Sequence, residues 1–262
     1  MGARGISLQG YLCQRIAETL ARAPIHDHLG YEALAHLKMP GPGYLETLAT
    51  LHKAIKPKLY IEIGVRDGDS LRQTQTGTKC IAIDPEPRCL NEVYDQPGTP
   101  AWWSSPDFTF AICTSGQYFA REENRERARG FDLAFIDGSH NAVDAARDFM
   151  ELWLLSKPTS IIVLHDVIPM DAHTANPICK SSFWTGDVWR LMAGLVASDF
   201  HAFTIACPPT GLGVVCGKAD SWGLCNDPLD MDWGWLSGIL NIVPNDGKAI
   251  AEAFSELRDG DK

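Results

Sequence analysis

Two short stretches of the chain gather acids and imidazoles where a sheet would end. Ile136-Asp137-Gly138-Ser139-His140 and Leu164-His165-Asp166 each close an apolar run, and Asp137 and Asp166 lie 29 residues apart. One strand–helix–strand unit fits that spacing, which brings both acids to the same sheet edge on adjacent strands. Two carboxylates sharing a cleft repel each other unless a positive charge lies between them. A divalent cation answers that need, since hard ions such as Mg²⁺ take oxygen ligands. His140 overhangs the same cleft, and an imidazole near its ordinary pKa suits a general base at neutral pH. The competing use of His140, or of Ser139, is to cap the helix that begins near Asn141. His165 either ligates the ion or orients Asp166.

A third stretch, Glu62-Ile63-Gly64-Val65-Arg66-Asp67-Gly68-Asp69-Ser70, follows another apolar run. Gly64 and Gly68 permit a tight turn and close approach of backbone to ligand, and the helix start expected after it offers free N–H groups. A dinucleotide-binding G-x-G-x-x-G counted from Gly64 would need glycine where Arg66 and Asp69 stand. Glu62 at the strand end favours a cationic or hydroxyl-bearing ligand over phosphate. Nineteen residues after Val65 the next run ends in Asp84, where an acid can accept from both hydroxyls of a ribose.

The elements that must position these groups are short β-branched runs alternating with helical stretches. Strands are expected at Leu59–Val65, Cys80–Asp84, Phe108–Cys113, Phe131–Asp137, Ser160–Asp166, Phe200–Cys207 and Leu212–Cys216. Runs such as Ile161–Leu164 are apolar at every position, as strands covered on both faces must be. Between the fourth and fifth, Asn141–Leu155 carries a helical stripe of Ala142, Ala145, Ala146, Phe149 and Trp153. The last two runs are joined by Pro208-Pro209-Thr210-Gly211, too short for a crossover, so they form an antiparallel hairpin. The fold class is therefore α/β: a doubly wound, mostly parallel seven-stranded sheet ending in that hairpin. Ligands in such sheets bind at the carboxyl ends of the strands.

E-I-G-V-R-D-G-D-S followed by A-I-D-P resembles the first two motifs of class I S-adenosylmethionine-dependent methyltransferases, over roughly Tyr44 to Gly217. The resemblance implies a Rossmann-like methyltransferase fold with S-adenosylmethionine as cofactor. Gly64, Gly68 and Ser70 would border its methionine part, Glu62 support its ammonium group, Asp84 hold its ribose, and Thr114-Ser115 meet its adenine. I-D-G-S-H with the later H-D is similar to the metal-dependent O-methyltransferases of sugars and other hydroxylated natural products, among them the cephalosporin-biosynthesis and macrolide-sugar enzymes. That similarity implies Asp137, Asp166 and His165 as metal ligands and His140 as the base that deprotonates the acceptor. Several relatives carry two acids where His165-Asp166 stands, and an imidazole there leaves room for Mn, Fe or Zn as well as Mg. It divides the chain into an N-terminal helical extension (1–43), the methyltransferase domain (44–218) and a C-terminal extension (219–262) serving as lid or oligomer contact.

Composition narrows the partners. Of 262 residues 45% are hydrophobic and 21% charged, and the formal net charge is −10, so a buried core is well supplied. An acidic chain without a basic block is a poor nucleic-acid binder, and no apolar run reaches the roughly 18 residues of a membrane span. The 8 cysteines are scattered and hold no C-x-x-C pair, which fits a reduced, cytoplasmic protein. Leu8, Tyr11, Leu12, Ile16 and Leu20 outline an amphipathic N-terminal helix. His26-Asp27-His28 reads as loop surface, and Ile168–Gly186 as a substrate loop carrying Phe183 and Trp184. The Asp- and Trp-rich Asp220–Trp235 reads as lid, oligomer contact or appendage. The expected reaction is O-methylation of a small hydroxylated acceptor, a vicinal diol of a sugar or a catechol-like pair, in a protein that can be a homo-oligomer. The alternatives are another modification on the same fold, such as hydroxylation, and a non-catalytic cofactor-binding or partner protein.

Overall fold

The computed structural model describes residues 28–89, 108–198, 200–216 and 242–244, with Lys248 and Glu252. The expected N-terminal amphipathic helix, His26-Asp27 and Asp220–Trp235 lie outside the described residues.

The helices are α1 (His28–Lys38), α2 (Tyr44–Ile55), α3 (Ser115–Phe119), α4 (Glu122–Ala128), α5 (Ala142–Leu155) and α6 (Val188–Val196). The strands are β1 (Leu59–Ile63), β2 (Lys79–Ile83), β3 (Phe108–Ala111), β4 (Leu133–Ile136), β5 (Ile161–His165), β6 (His201–Ala206), β7 (Leu212–Cys216) and β8 (Ile242–Pro244). All seven expected strands form, each within a residue or two of the apolar run that specifies it. The sheet order is β3-β2-β1-β4-β5-β7-β6-β8. Pairing is parallel through β3, β2, β1, β4 and β5, and antiparallel on both sides of β7. The sheet has eight strands rather than seven, because β8 pairs in parallel with the free edge of β6. Pro244 is tolerated in it because an edge strand leaves one side without ladder bonds.

Alternation along each strand builds two cores. Ile61, Ile63, Ala134, Ile136, Ile162 and Leu164 face the layer that holds α1, α5 and α6. Tyr60, Leu133, Phe135, Ile161 and Val163 face the opposite layer, with Leu48 and Leu51 of α2. Covering both faces is what requires strands without a polar side. The stripe on α5 buries Ala142, Ala145, Phe149, Leu152 and Trp153. Asn141 caps this helix, its side chain accepting from the Val143 N–H at 2.9 Å. That assignment frees His140 from the capping role.

Where a helix was expected after the glycine turn, a single 3₁₀ turn, Leu71–Gln73, follows β1. Ser70 stands at its cap position, but its hydroxyl accepts no N–H of the turn and donates to Glu62.

His52 of α2 is fully buried, packs edge-on against Tyr60 at 4.6 Å, and has no partner for either ring nitrogen. Burial pushes its pKa down from 6.5 to about 4. The unfolded chain therefore takes up this proton at a pH where the folded chain does not. Above about pH 6.5 the group has no effect on stability, and below it stability falls by about 1.4 kcal/mol per pH unit until the folded-state pKa is reached. His52→Phe is expected to remove this share of the acid sensitivity. Urea unfolding at pH 7 and pH 5 checks it: an identical loss in variant and wild type would refute the assignment.

Candidate active site

The carboxyl ends of β1, β2, β3 and β4 open onto a cleft of about 890 Å³, bounded by Gly64–Arg66, Asp84–Glu86, Ser115 and Asp137–His140. That volume is in the range of small-molecule sites. Its floor at β1 is a backbone contact only glycine allows. Gly64 has φ of +85°, and a Cβ there would lie 2.1 Å from the carbonyl oxygen of Asp137. The neighbouring turn is fixed by Asp84, which is buried and lines the cleft. Its Oδ2 accepts from the N–H groups of Val65 and Arg66 at 2.7 and 2.8 Å, and its Oδ1 accepts from Glu86 N–H at 2.7 Å. A carboxylate offers about four lone-pair sites, so Asp84 can hold the turn and still accept from ligand hydroxyls.

Glu62, Gly68 and Ser70 sit behind this wall instead of on it. Glu62 is fully buried, with Tyr60 Oη and Ser70 Oγ each donating to one of its carboxylate oxygens at 2.7 Å. Burial, opposed by these two hydroxyls, pushes its pKa up to about 8. Gly68, with φ of +76°, closes the turn by donating from its N–H to Val65 O at 2.8 Å.

At the other end the acids of β4 and β5 converge. Asp137, His140 and Asp166 each present one ligand atom, all within 4.8 Å of one another. Asp166 is buried and holds φ of +60°, a left-handed conformation that only a few side chains such as aspartate visit without large strain. Behind the pair stands His165. Its Nδ1 is 3.1 Å from Asp137 Oδ1 and its Nε2 is 3.2 Å from Thr210 Oγ1. Thr210 also helps to hold the Asp166 pKa down. Nδ1 faces a carboxylate and so donates, and Nε2 is taken up by the Thr210 hydroxyl whichever of the two donates. Burial disfavours that charge, yet the flanking Asp137 and Asp166 raise the His165 pKa well above the ordinary value. Burial likewise opposes ionisation of Asp166, but His165 and His140 hold its pKa below the usual carboxylate value.

The two histidines have thus exchanged the surroundings their sequence positions imply. His165, expected among the ligands, has no lone pair free for a metal in this arrangement. His140, expected as the base, joins the ligand cluster. Its Nδ1 is 2.8 Å from the carbonyl oxygen of Trp184, so that nitrogen must carry a proton. Nε2 then points at Asp166 Oδ2, 3.2 Å away. A neutral ring aims a lone pair at a carboxylate there, an arrangement that a bound cation relieves and a doubly protonated ring also satisfies. Two carboxylates, one imidazole and a neighbouring imidazolium leave a net negative site that suits a divalent ion.

His140 is gripped by the Ile168–Gly186 stretch, which is a packed strap instead of an open loop. Trp184 stacks on the imidazole, centroids 4.8 Å apart at 16°. Asp187 N–H donates to His140 O at 3.0 Å, and Asp187 Oδ1 accepts from Ala142 N–H at 2.7 Å. Gly186 is required because a Cβ there would fall 1.8 Å from His140 O. The strap is anchored in turn by α1, where Tyr31 stacks on Phe183 at 5.3 Å and donates to Asp171 at 2.9 Å.

A residue not anticipated from the sequence is Asp148 of α5, which is buried yet lines the cleft and accepts from the hydroxyl of Ser115. Its signal was an acid set within the apolar stripe of Ala145 and Phe149.

A model of the methyltransferase-domain family matches residues 61–167. An enzyme from Streptomyces achromogenes, the O-methyltransferase TomG of tomaymycin synthesis, solved with S-adenosylmethionine, is 17% identical. The match covers 79% of this chain and 96% of that one at a TM-score of 0.50. A Klebsiella pneumoniae protein assigned as an O-methyltransferase is also 17% identical, with 79% and 90% covered and a TM-score of 0.50. A Staphylococcus aureus protein assigned as a caffeoyl-CoA O-methyltransferase is 13% identical, with 79% and 99% covered and a TM-score of 0.50. No curated protein sequence matches the chain. Among the described residues no helix is long and apolar enough to cross a membrane.

Gly64→Ala is expected to separate the glycine turn from Asp137. It should lower unfolding stability by about 2 kcal/mol or more and abolish binding of S-adenosylhomocysteine, as read by a thermal melt with and without ligand. Unchanged ligand-induced stabilisation would contradict this account of the cleft floor.

Residues 61–167 thus match a methyltransferase-domain model, and the chain has the fold of these solved O-methyltransferases.

Proposed function

We propose that this chain transfers a methyl group from S-adenosylmethionine to a hydroxyl of a small acceptor, with a divalent cation at Asp137, His140 and Asp166. The observation that carries the reading is the meeting of those three ligand atoms, within 4.8 Å of one another, beside a cleft that Gly64 and Asp84 also line.

S-adenosylmethionine would supply an already activated methyl group, and a cation held by Asp137, His140 and Asp166 would lower the pKa of an acceptor hydroxyl. The chain's own residues do the rest. Asp84 takes the ribose hydroxyls with the lone pairs that Val65, Arg66 and Glu86 leave free. Gly64 lets the turn lie flat against the Asp137 backbone, so that donor and acceptor ends of the cleft are held at a set distance, which is most of what an in-line transfer demands. Glu62 backs the glycine turn, and in its ionised form would support a cationic ligand there through the Ser70 hydroxyl. His165 keeps Asp137 and Asp166 together when no ion is bound. Trp184 fixes the His140 tautomer so that Nε2 carries the lone pair.

Vicinal diols and catechol-like pairs are the acceptors this arrangement favours, because two adjacent oxygens can chelate. A donor set with one imidazole is served by Mn²⁺ at least as well as by Mg²⁺. The sequence motifs favour His140 as the proton acceptor. The geometry favours it as a ligand, since Trp184 and Asp166 engage both its nitrogens.

Incubation with labelled S-adenosylmethionine and a panel of glycosides and catechols, with Mg²⁺, Mn²⁺ or EDTA, tests the reading. Transfer is expected to a vicinal-diol acceptor and to disappear with EDTA. Cofactor binding without transfer to any hydroxyl would overturn it. His140→Ala separates the two roles: as a ligand its loss should raise the metal concentration for half-maximal activity by about 10–100-fold, with activity recovered at high metal. A base would leave the metal requirement unchanged and cost on the order of 10² or more in turnover at every metal concentration.

A further inference from the structure

Among the described residues, α1 supplies neither a wall of the cleft nor a member of the Asp137–His140–Asp166 group. Its buried side, Tyr31, Leu34 and Ala35, lies at helical spacing. From α1 the Ile168–Gly186 strap is gripped at both ends. Near its start, Lys38 Nζ donates to Met170 O at 3.2 Å and Tyr31 Oη donates to Asp171 Oδ2 at 2.9 Å. Near its end, His28 Nδ1 lies 3.2 Å from Ser182 O, and the Tyr31 ring stacks on Phe183, 5.3 Å between centroids at 21°. Tyr31 is thus the residue that touches both ends, and it is buried there.

Two paths lead from Tyr31 to His140. The first is short. Phe183 and Trp184 are neighbours in the chain, Phe183 stacked on Tyr31 and Trp184 stacked on the imidazole. Whatever fixes Phe183 also fixes the peptide next to it, and the Trp184 carbonyl oxygen is what holds His140 Nδ1 at 2.8 Å. The second path runs through hydrogen bonds. Asp171 Oδ1 accepts from the N–H groups of His173 and Thr174 at 3.0 and 2.8 Å, and the Thr185 hydroxyl donates to Thr174 O at 2.8 Å. Thr174 and Thr185 are both fully buried, so this path is rigid as well. An imidazole left free to turn must be ordered at the moment a metal binds, and that cost weakens the metal.

We propose that Tyr31 is a positioning residue for the metal ligand His140, presetting the ring through Phe183 and Trp184 without touching the ion. The assignment rests on the metal reading above and adds to it a residue outside the cleft. None of the contacts in either path involves Gly64, Asp84 or Ser115, so the effect is confined to the metal end and cofactor binding is left as it is.

Calorimetric titration of the full chain with Mn²⁺, beside a parallel titration with S-adenosylhomocysteine, tests the proposal without requiring turnover. Tyr31→Leu keeps apolar bulk but removes the flat ring and the hydroxyl. It is expected to weaken Mn²⁺ by about tenfold and to leave S-adenosylhomocysteine within about twofold of the wild type. Tyr31→Phe keeps the stack and is expected to recover most of the loss, to within about threefold of the wild type. Should Tyr31→Leu fail to fold, Phe183→Leu breaks the same stack from the strap side, with the same expected loss. The His140→Ala background separates positioning from general support of the fold. There Tyr31→Leu is expected to cause no further loss of Mn²⁺ affinity, because the ring it acts through is gone. An equal loss in that background, an unchanged Mn²⁺ affinity in Tyr31→Leu, or a matching loss of S-adenosylhomocysteine overturns the proposal. A wild type that binds S-adenosylhomocysteine but no Mn²⁺ overturns instead the metal reading on which it stands.

Discussion

Two negative charges held side by side at the ends of adjacent strands are the constraint around which the site is organised. Asp137 and Asp166 directly follow β4 and β5, whose parallel pairing leaves their strand ends level. Like charges at that spacing disfavour their own ionisation. The fold answers with His165, lodged between both carboxylates and the Thr210 hydroxyl and held as an imidazolium against the cost of its burial. One internal positive charge offsets half of the acid pair. The remainder keeps the cluster attractive to a divalent ion without letting it fly apart when none is bound.

From that centre the requirements spread outward by contact. Gly64 must lack a side chain because its turn lies against the Asp137 backbone, and Asp84 must be an acid because it ties down the N–H groups of that same turn. His140 reaches Asp166 only because Trp184 stacks on it and the Gly186–Asp187 backbone lies along it. The strap that carries Trp184 is fastened through Phe183 and Asp171 to Tyr31 of α1. The N-terminal helix of the described chain is thereby mechanically connected to the candidate metal cluster, although it contributes no ligand to it.

Much of this was legible in residue order. A strand covered on both faces has to be apolar throughout, so the seven runs stand out. The four residues Pro208–Gly211 permit only a hairpin. Strand-end acids mark the crevice because nothing else at a buried strand terminus would keep Asp84, Asp137 and Asp166 there. β8 was not legible: three residues at an edge, one of them proline, carry almost no periodic signal. Asp148 was missed for a related reason, since an acid on a helix stripe looks like an interruption of the pattern until the cleft beside it is seen.

Residue order by itself determined the sheet, its antiparallel end, the glycine turn and the acids that border the cleft, because each follows from short-range periodicity or from which side chains a strand terminus tolerates. Tertiary structure alone decided what the imidazoles do. The character of a histidine is set by the hydrogen-bond partner on each nitrogen, and those partners come from far along the chain: Thr210 of the β6–β7 hairpin for His165, Trp184 of the strap for His140. Only the folded chain brings an acceptor to one nitrogen and a carboxylate to the other.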